Sequence, residues 1–252
     1  MLINQGFFAT LRTATMRLRD RGQRQHGDAR AANGISQPPA IHPFDLQYGV
    51  ETSGLIWGEH LRSGERNDRW NTAYYGIAPS VFHASITRLP IDFREFAFID
   101  FGSGKGRAVM LATQYPFAEI YGVELAPELH TIAEANLRIF LGARNIQSQV
   151  RLVCTDAVKF ALPERPLVLF YYHPFCRPVL KRVLRNLEVS LRARPRPAYV
   201  VYINPELREL LDRAPFLERL SEGTLAMDAE DELADRIGSS VEECAIYRSV
   251  QS

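Results

Sequence analysis

The chain has 252 residues, of which 46% are hydrophobic, 10% aromatic and 23% charged, and 30 Lys+Arg against 29 Asp+Glu leave a formal net charge of +1. Those fractions exclude a wholly disordered chain, a collagen-like repeat and a coiled-coil rod, and the balanced charge argues against a surface built throughout for nucleic acid. Apolar runs such as Leu167 to Tyr172 are far shorter than the roughly 20 residues that cross a bilayer, and Cys154, Cys176 and Cys244 include no Cys-x-x-Cys pair. The expectation is a soluble, cytoplasmic protein from a reducing compartment, with no disulfide scaffold, no structural zinc and no metal site.

The first 40 residues stand apart. Arg12, Arg17, Arg19, Arg21, Arg24 and Arg30 face only Asp20 and Asp28, and Pro38-Pro39 closes the stretch. Residues 1–40 read as a basic, flexible N-terminal extension. Within it Phe7 to Leu18 could form a short amphipathic helix suited to a membrane surface or an acidic partner. Residues 41–90 follow as a cap or lid segment. They contain Phe44-Asp-Leu-Gln-Tyr-Gly-Val-Glu-Thr-Ser-Gly54, with Trp57, Trp70 and Tyr74 nearby. Residues 91–252 form the main domain.

From Phe96 the pattern is regular. Phe96 to Asp100 is a short apolar strand ending in an acid, and Gly102-Ser-Gly104-Lys-Gly106 leads into a helix over Arg107 to Gln114. Glu119 to Glu124 is a second strand ending in an acid. Pro127 to Leu141 is the next helix, opened by a proline at its first turn and stopped by Gly142. Val150 to Asp156 is a third strand, and Leu167 to Tyr172 a fourth, apolar enough to be buried on both faces. Helix over Arg177 to Leu191, strand over Ala198 to Ile203 and a short helix over Pro205 to Arg213 continue the alternation. Phe216 to Ser221 and Cys244 to Ser249 can add two strands. Strands alternating with helices predict an α/β fold: a doubly wound, Rossmann-like, mostly parallel seven-stranded sheet with helices on both faces.

The glycine loop points to a nucleotide-type ligand, because glycine turns tightly and admits a ligand without a Cβ in the way. A phosphate-binding P-loop is excluded: position 99 is Ile where its first glycine belongs, and position 106 is Gly where it needs Ser or Thr. A dinucleotide fingerprint is demoted, since its third glycine falls on Arg107. What remains is Asp100-x-Gly-x-Gly-x-Gly106, in which the preceding acid suits a ligand that carries a positive amino acid end and no phosphate.

This motif resembles the class I S-adenosylmethionine-dependent methyltransferases, over roughly Tyr74 to the C-terminus. The resemblance implies S-adenosylmethionine as cofactor, with Asp100, Gly102, Ser103, Gly104 and Gly106 at its amino acid end. It also implies Glu124, with Leu125 after it, on the ribose hydroxyls, and Asp156 with the Ala157 amide on the adenine. Ile99 to Arg107 with Tyr121-Gly-Val-Glu124 is closest in style to the histone-lysine methyltransferases lacking a SET domain and their bacterial relatives. Tyr75-Gly-Ile-Ala-Pro-Ser-Val-Phe82 is similar to the segment with which those proteins cover the cofactor, making Tyr75 and Pro79 a lid. The fourth strand departs from the family: Tyr172-His173-Pro174-Phe175 stands where amine methylases often carry Asn or Asp before Pro-Pro and an aromatic residue.

The implied reaction is methyl transfer to a nitrogen acceptor, protein lysine being the leading candidate. A lysine amine of pKa ~10.4 must lose its proton first, at about 4.6 kcal/mol at pH 7. Tyr171, Tyr172 and Phe175 could form a poorly hydrated channel that lowers this cost, and His173 could take the proton. Alternate residues of a strand face opposite ways, so only one of Tyr171 and Tyr172 can face the pocket, and Tyr172 is favoured. An oxygen or small-molecule acceptor, and a regulator that binds the cofactor without catalysis, remain as alternatives. The basic stretch 176–196 and the acidic stretch 217–243 read as solvated faces, so nucleic acid is not an expected partner.

Overall fold

The computed structural model describes residues 41–61, 64, 72–144, 149–235 and 240–250; the expected N-terminal extension, its Phe7–Leu18 helix and Trp70 lie outside them. Seven strands form one sheet: β3 (Ala97–Phe101), β4 (Glu119–Glu124), β5 (Val150–Cys154), β6 (Leu167–Tyr172), β7 (Ala198–Ile203), β8 (Leu217–Ala226) and β9 (Val241–Ser249). Their order is β5-β4-β3-β6-β7-β9-β8, with β9 antiparallel to both neighbours and β3 to β7 parallel. The doubly wound α/β expectation therefore holds.

The sheet separates two apolar layers, and its alternating side chains supply both. Phe98, Val168, Phe170 and Val201 point into one layer, where Phe82, Val109, Met110 and Phe140 meet them. Ile99, Phe101, Leu169 and Tyr171 point into the other, under Val179, Leu180, Val183 and Leu187. The helices are α3 (Arg107–Ala112), α4 (Pro127–Arg144), α5 (Arg177–Ala193) and α6 (Arg208–Asp212), all anticipated within a few residues. Helix α5 buries its Val/Leu stripe and leaves Lys181, Arg182 and Arg185 exposed, so the basic stretch is a solvent face. Among the described residues no helix is long and apolar enough to cross a membrane.

Three short helices and a hairpin were not foreseen: α1 (Pro43–Tyr48), α2 (Pro79–Ile86), α7 (Ala229–Ala234), and β1 (Leu55–Ile56) paired with β2 (Tyr74–Tyr75). They explain the segment Phe44–Gly54. Its chain folds around the buried Asp45 carboxylate, which accepts from the Thr52 and Ser53 amides at 2.7 Å each and from the Thr52 hydroxyl. Arg107, only 4% exposed, clamps this turn to the first helix of the sheet. Its Nε donates to Thr52 Oγ1 at 2.6 Å and its Nη1 to the carbonyls of Gly76 (3.3 Å) and Ile77 (3.2 Å). Lys105 Nζ reaches Glu51 at 2.8 Å and the Ser53 carbonyl at 3.1 Å, while Asn136 on α4 bonds both the Glu51 backbone and the Lys105 carbonyl. The segment thus fastens the glycine loop from above.

Candidate functional site

The site forms at the carboxyl edge of the parallel strands, where open α/β sheets bind ligands. Directly after β3, Gly102, Gly104 and Gly106 all adopt positive φ (75°, 54° and 87°), a region that side chains with a Cβ avoid. At two of them space is also lacking. A Cβ on Gly102 would lie 2.6 Å from Pro174, and one on Gly104 only 2.3 Å from the Tyr74 ring. Gly106 serves packing: it caps α3, and a Cβ there would press on Ala133 of α4 at 3.2 Å.

Beside the loop lies a cleft open to solvent. Gly102 and Gly104 line one wall and Glu124 and Leu125 the next. Asp156 and Ala157 lie at one end, and Tyr172, Pro174 and Phe175 at the other. Tyr75 lines it together with Tyr74, which the sequence places near the expected cap, and with Leu61 and Thr72, which carry no such signal in the sequence. The Tyr74 hydroxyl donates to the Thr52 carbonyl at 2.6 Å, which holds its ring against Gly104.

Two carboxylates shape the electrostatics. Glu124, 7% exposed, accepts from the Gly104 amide at 2.7 Å and from the Ala126 amide at 2.8 Å. Burial raises its pKa, and the bonds from the Ala126, Gly104 and Leu125 amides work the other way. A carboxylate has about four lone-pair sites, so Glu124 can still accept from a ligand hydroxyl. Asp100, 4% exposed, lies beneath the loop and does not line the cleft, which corrects the expectation of direct contact. Burial, reinforced by the charge of Glu124, pushes its pKa up to about 8. The wall beneath the glycines therefore holds two crowded acids, and a cation at the loop would relieve both.

Asp156 lines the cleft and also caps its own turn, accepting from the Val158 amide at 2.9 Å. Ser103 does not line it; its amide bonds the Val123 carbonyl at 3.1 Å and its carbonyl accepts from Gly106 at 2.8 Å. Pro79, expected as part of the lid, does not line the cleft either. It starts α2, where its missing N–H is harmless, and borders a separate concavity with His42, Phe44 and His83.

His173 is the larger correction. The chain turns at this residue with φ +43°, and the ring leaves the cleft to stack on Tyr202, whose hydroxyl lies 2.9 Å from Nδ1. Burial lowers the imidazole to about pKa 4, so it is neutral and its 3.7 Å approach to Glu206 is not an ion pair. The placement removes His173 from the proton-accepting role at the cleft. Tyr172 does line the cleft, whereas Tyr171 is fully buried in the opposite layer. The Tyr172 hydroxyl donates to Glu242 of β9 at 2.8 Å, and Asn204 donates to the other oxygen of the same carboxylate. Glu242 went unnoticed because its sequence neighbourhood reads only as one more acidic stretch.

No protein-family model and no curated protein matches this chain. Among solved structures it is similar to a precorrin-6y C5,15-methyltransferase from Geobacter metallireducens GS-15, at 16% identity over 68% of this chain and 88% of that one, with a TM-score of 0.46. It is similar to a SAM-dependent methyltransferase from Aquifex aeolicus, at 13% identity over 67% and 89%, with a TM-score of 0.49. A ribosomal protein L11 methylase from Lactobacillus delbrueckii subsp. bulgaricus gives 15% identity over 66% and 76%, with a TM-score of 0.45. At such values none of these likenesses decides what this chain does, and its own cleft must supply the argument.

Proposed function

We propose that the cleft binds S-adenosylmethionine and that the chain transfers its methyl group to an acceptor entering over Tyr172, Pro174 and Phe175. The observation that carries the reading is the pair of buried acids, Asp100 and Glu124, set against Gly102 and Gly104 in left-handed conformations. The Glu124 carboxylate suits a ribose and opposes a phosphate, and a cationic amino acid end at the loop would draw Asp100 towards its charged form. Glu124 would hold the ribose, Asp156 and the Ala157 amide the base, and the backbone of the glycine loop the amino acid end.

The bound group would supply an activated methyl on a sulfonium, which leaves the protein alignment and exclusion of water as its tasks. Tyr75 and Tyr74 cover the cleft, and Tyr172 with Phe175 gives the acceptor end an aromatic wall. A nitrogen acceptor, with protein lysine the leading class, fits that wall because poor hydration disfavours the ammonium form. Incubation of the full chain with a deuterated methyl donor and separate peptide, RNA and metabolite pools, read by mass spectrometry, tests the reading. A labelled amine is the expected product. A labelled hydroxyl or carboxylate would retain the methyl transfer and overturn the nitrogen assignment, and no labelled product from any pool would leave only cofactor binding.

A further inference from the structure

We infer that Tyr172 and Glu242, the latter held in place by Asn204, form a proton relay at the acceptor end of the cleft, which makes the acceptor an amine that enters as its ammonium ion. The inference rests on the methyl-transfer reading above and names the chemistry of its second substrate.

The relay follows from topology. Strand β9 runs antiparallel to β7, so its first residues return to the edge where the parallel strands end. This sets Glu242 behind Tyr172, at 1% exposure, in a place where a carboxylate is costly. Two neutral groups hold it. Tyr172 donates to Oε1 at 2.8 Å, and Asn204, at φ +51° just past β7, donates to Oε2. Among the described residues the charged group that bears on Glu242 is Asp235, beyond α7, which repels it. No cation among the described residues pairs with Glu242. Burial first, then Asp235, raises its pKa to about 7, against the two hydrogen bonds. A structural carboxylate gains nothing from such surroundings; a group that takes and returns a proton near neutrality does.

The tyrosine is the link, because it lines the cleft on one side and touches Glu242 on the other. Tyr75 repeats the arrangement, lining the cleft while its hydroxyl donates to Asp235 at 2.9 Å. Phenols whose protons are directed at carboxylates meet an incoming group as hydrogen-bond acceptors, so they favour a partner rich in N–H. The step balances. The ammonium gives a proton to Tyr172 Oη as the tyrosine's own proton passes to Glu242, which becomes neutral. The freed lone pair bonds to the methyl carbon as the carbon–sulfur bond breaks, its electrons staying on sulfur. The products are a methylammonium ion and a neutral thioether, and Glu242 returns its proton to water. Glu242 is thus a positioning and proton-accepting residue that acts through Tyr172.

The test uses the full chain, S-adenosylmethionine and two amines of similar shape: ethylamine, an ammonium at pH 7, and 2,2,2-trifluoroethylamine, which is already neutral. Formation of S-adenosylhomocysteine is followed for the parent, Glu242→Gln and Tyr172→Phe. In each variant the loss of rate with ethylamine should exceed the loss with trifluoroethylamine at least tenfold. Equal losses with both amines would mean a structural role and overturn the relay, as would turnover of neither amine by a parent that binds S-adenosylmethionine. Absence of that binding in a calorimetric titration would instead remove the methyl-transfer reading beneath it. A second readout needs no turnover. The carbon-13 carboxyl signal of Glu242, identified by its loss in Glu242→Gln, should titrate near neutrality and move upward in Tyr172→Phe, because the tyrosine bond favours the ionised form. Titration in the ordinary glutamate range, unmoved by Tyr172→Phe, overturns the coupling.

Discussion

Asp100→Asn separates a carboxylate kept for a ligand from one kept for the fold. Asp100 has an ordinary pKa of 3.8 that burial, aided by the Glu124 charge, raises to about 8. Between those values the folded chain holds a proton that the unfolded chain has released, so stability falls as pH rises from about 4 to 8. Below this window the acid is neutral in both states and imposes no penalty; above it the full penalty applies. At ~1.36 kcal/mol per unit the shift corresponds to an upper bound of roughly 6 kcal/mol. The asparagine cannot ionise. Urea denaturation of both chains at pH 4.5, 6.5 and 8.5 should therefore show the variant gaining on the parent by several kcal/mol towards high pH. The same variant should bind a cationic nucleoside more weakly. Glu242 adds a slope of the same sign in both chains and cancels in the difference, whereas Glu124 is coupled to Asp100 and its share is part of the effect read. Parallel stability curves across the three pH values would refute the claim that Asp100 is a buried, uncompensated acid.

Three further substitutions probe the same construction. Gly104→Ala puts a Cβ 2.3 Å from the Tyr74 ring at a positive φ, and should cost about 2–3 kcal/mol in denaturation while displacing Tyr74; a loss below about 0.5 kcal/mol would mean that the loop is not held as described. Glu124→Gln keeps the shape but removes the charge, and should weaken binding of an adenosine-containing ligand about tenfold or more by calorimetry; unchanged affinity takes Glu124 out of the site. Arg107→Met leaves Asp45 buried without its cation and removes three hydrogen bonds, for an expected loss of about 3–5 kcal/mol in urea denaturation. A neutral effect there would show that the Phe44–Gly54 turn does not depend on the clamp.

The sheet was legible because its strands advertise themselves. Leu167–Tyr172 and Ala198–Ile203 are unbroken β-forming runs, and their predicted limits agree with the structure residue for residue. Both C-terminal strands were placed but drawn too short, because Glu222 and Thr224 on β8 and Glu242 and Glu243 on β9 look polar until their partners are known. The small helices α1, α2 and α7 escaped for another reason. Their order comes from distant partners, such as the Ser80 amide on Asp231 at 2.7 Å, which local periodicity cannot encode. At the cleft, strand alternation sorted Tyr172 from Tyr171. It could not place His173, because the strand ends there and a positive φ turns the ring to the opposite side. Glu242 and Asn204 lie 38 positions apart, and only the antiparallel return of β9 joins them.

The central claim is that the cleft beside Gly102 and Gly104 is shaped for a cationic sulfonium nucleoside. Isothermal titration of the 252-residue chain with S-adenosylmethionine at pH 7.5 tests it most directly. Saturable one-to-one binding, displaced by S-adenosylhomocysteine and untouched by NADH, is the result expected. No saturable heat at millimolar ligand, or displacement by NADH, would contradict it.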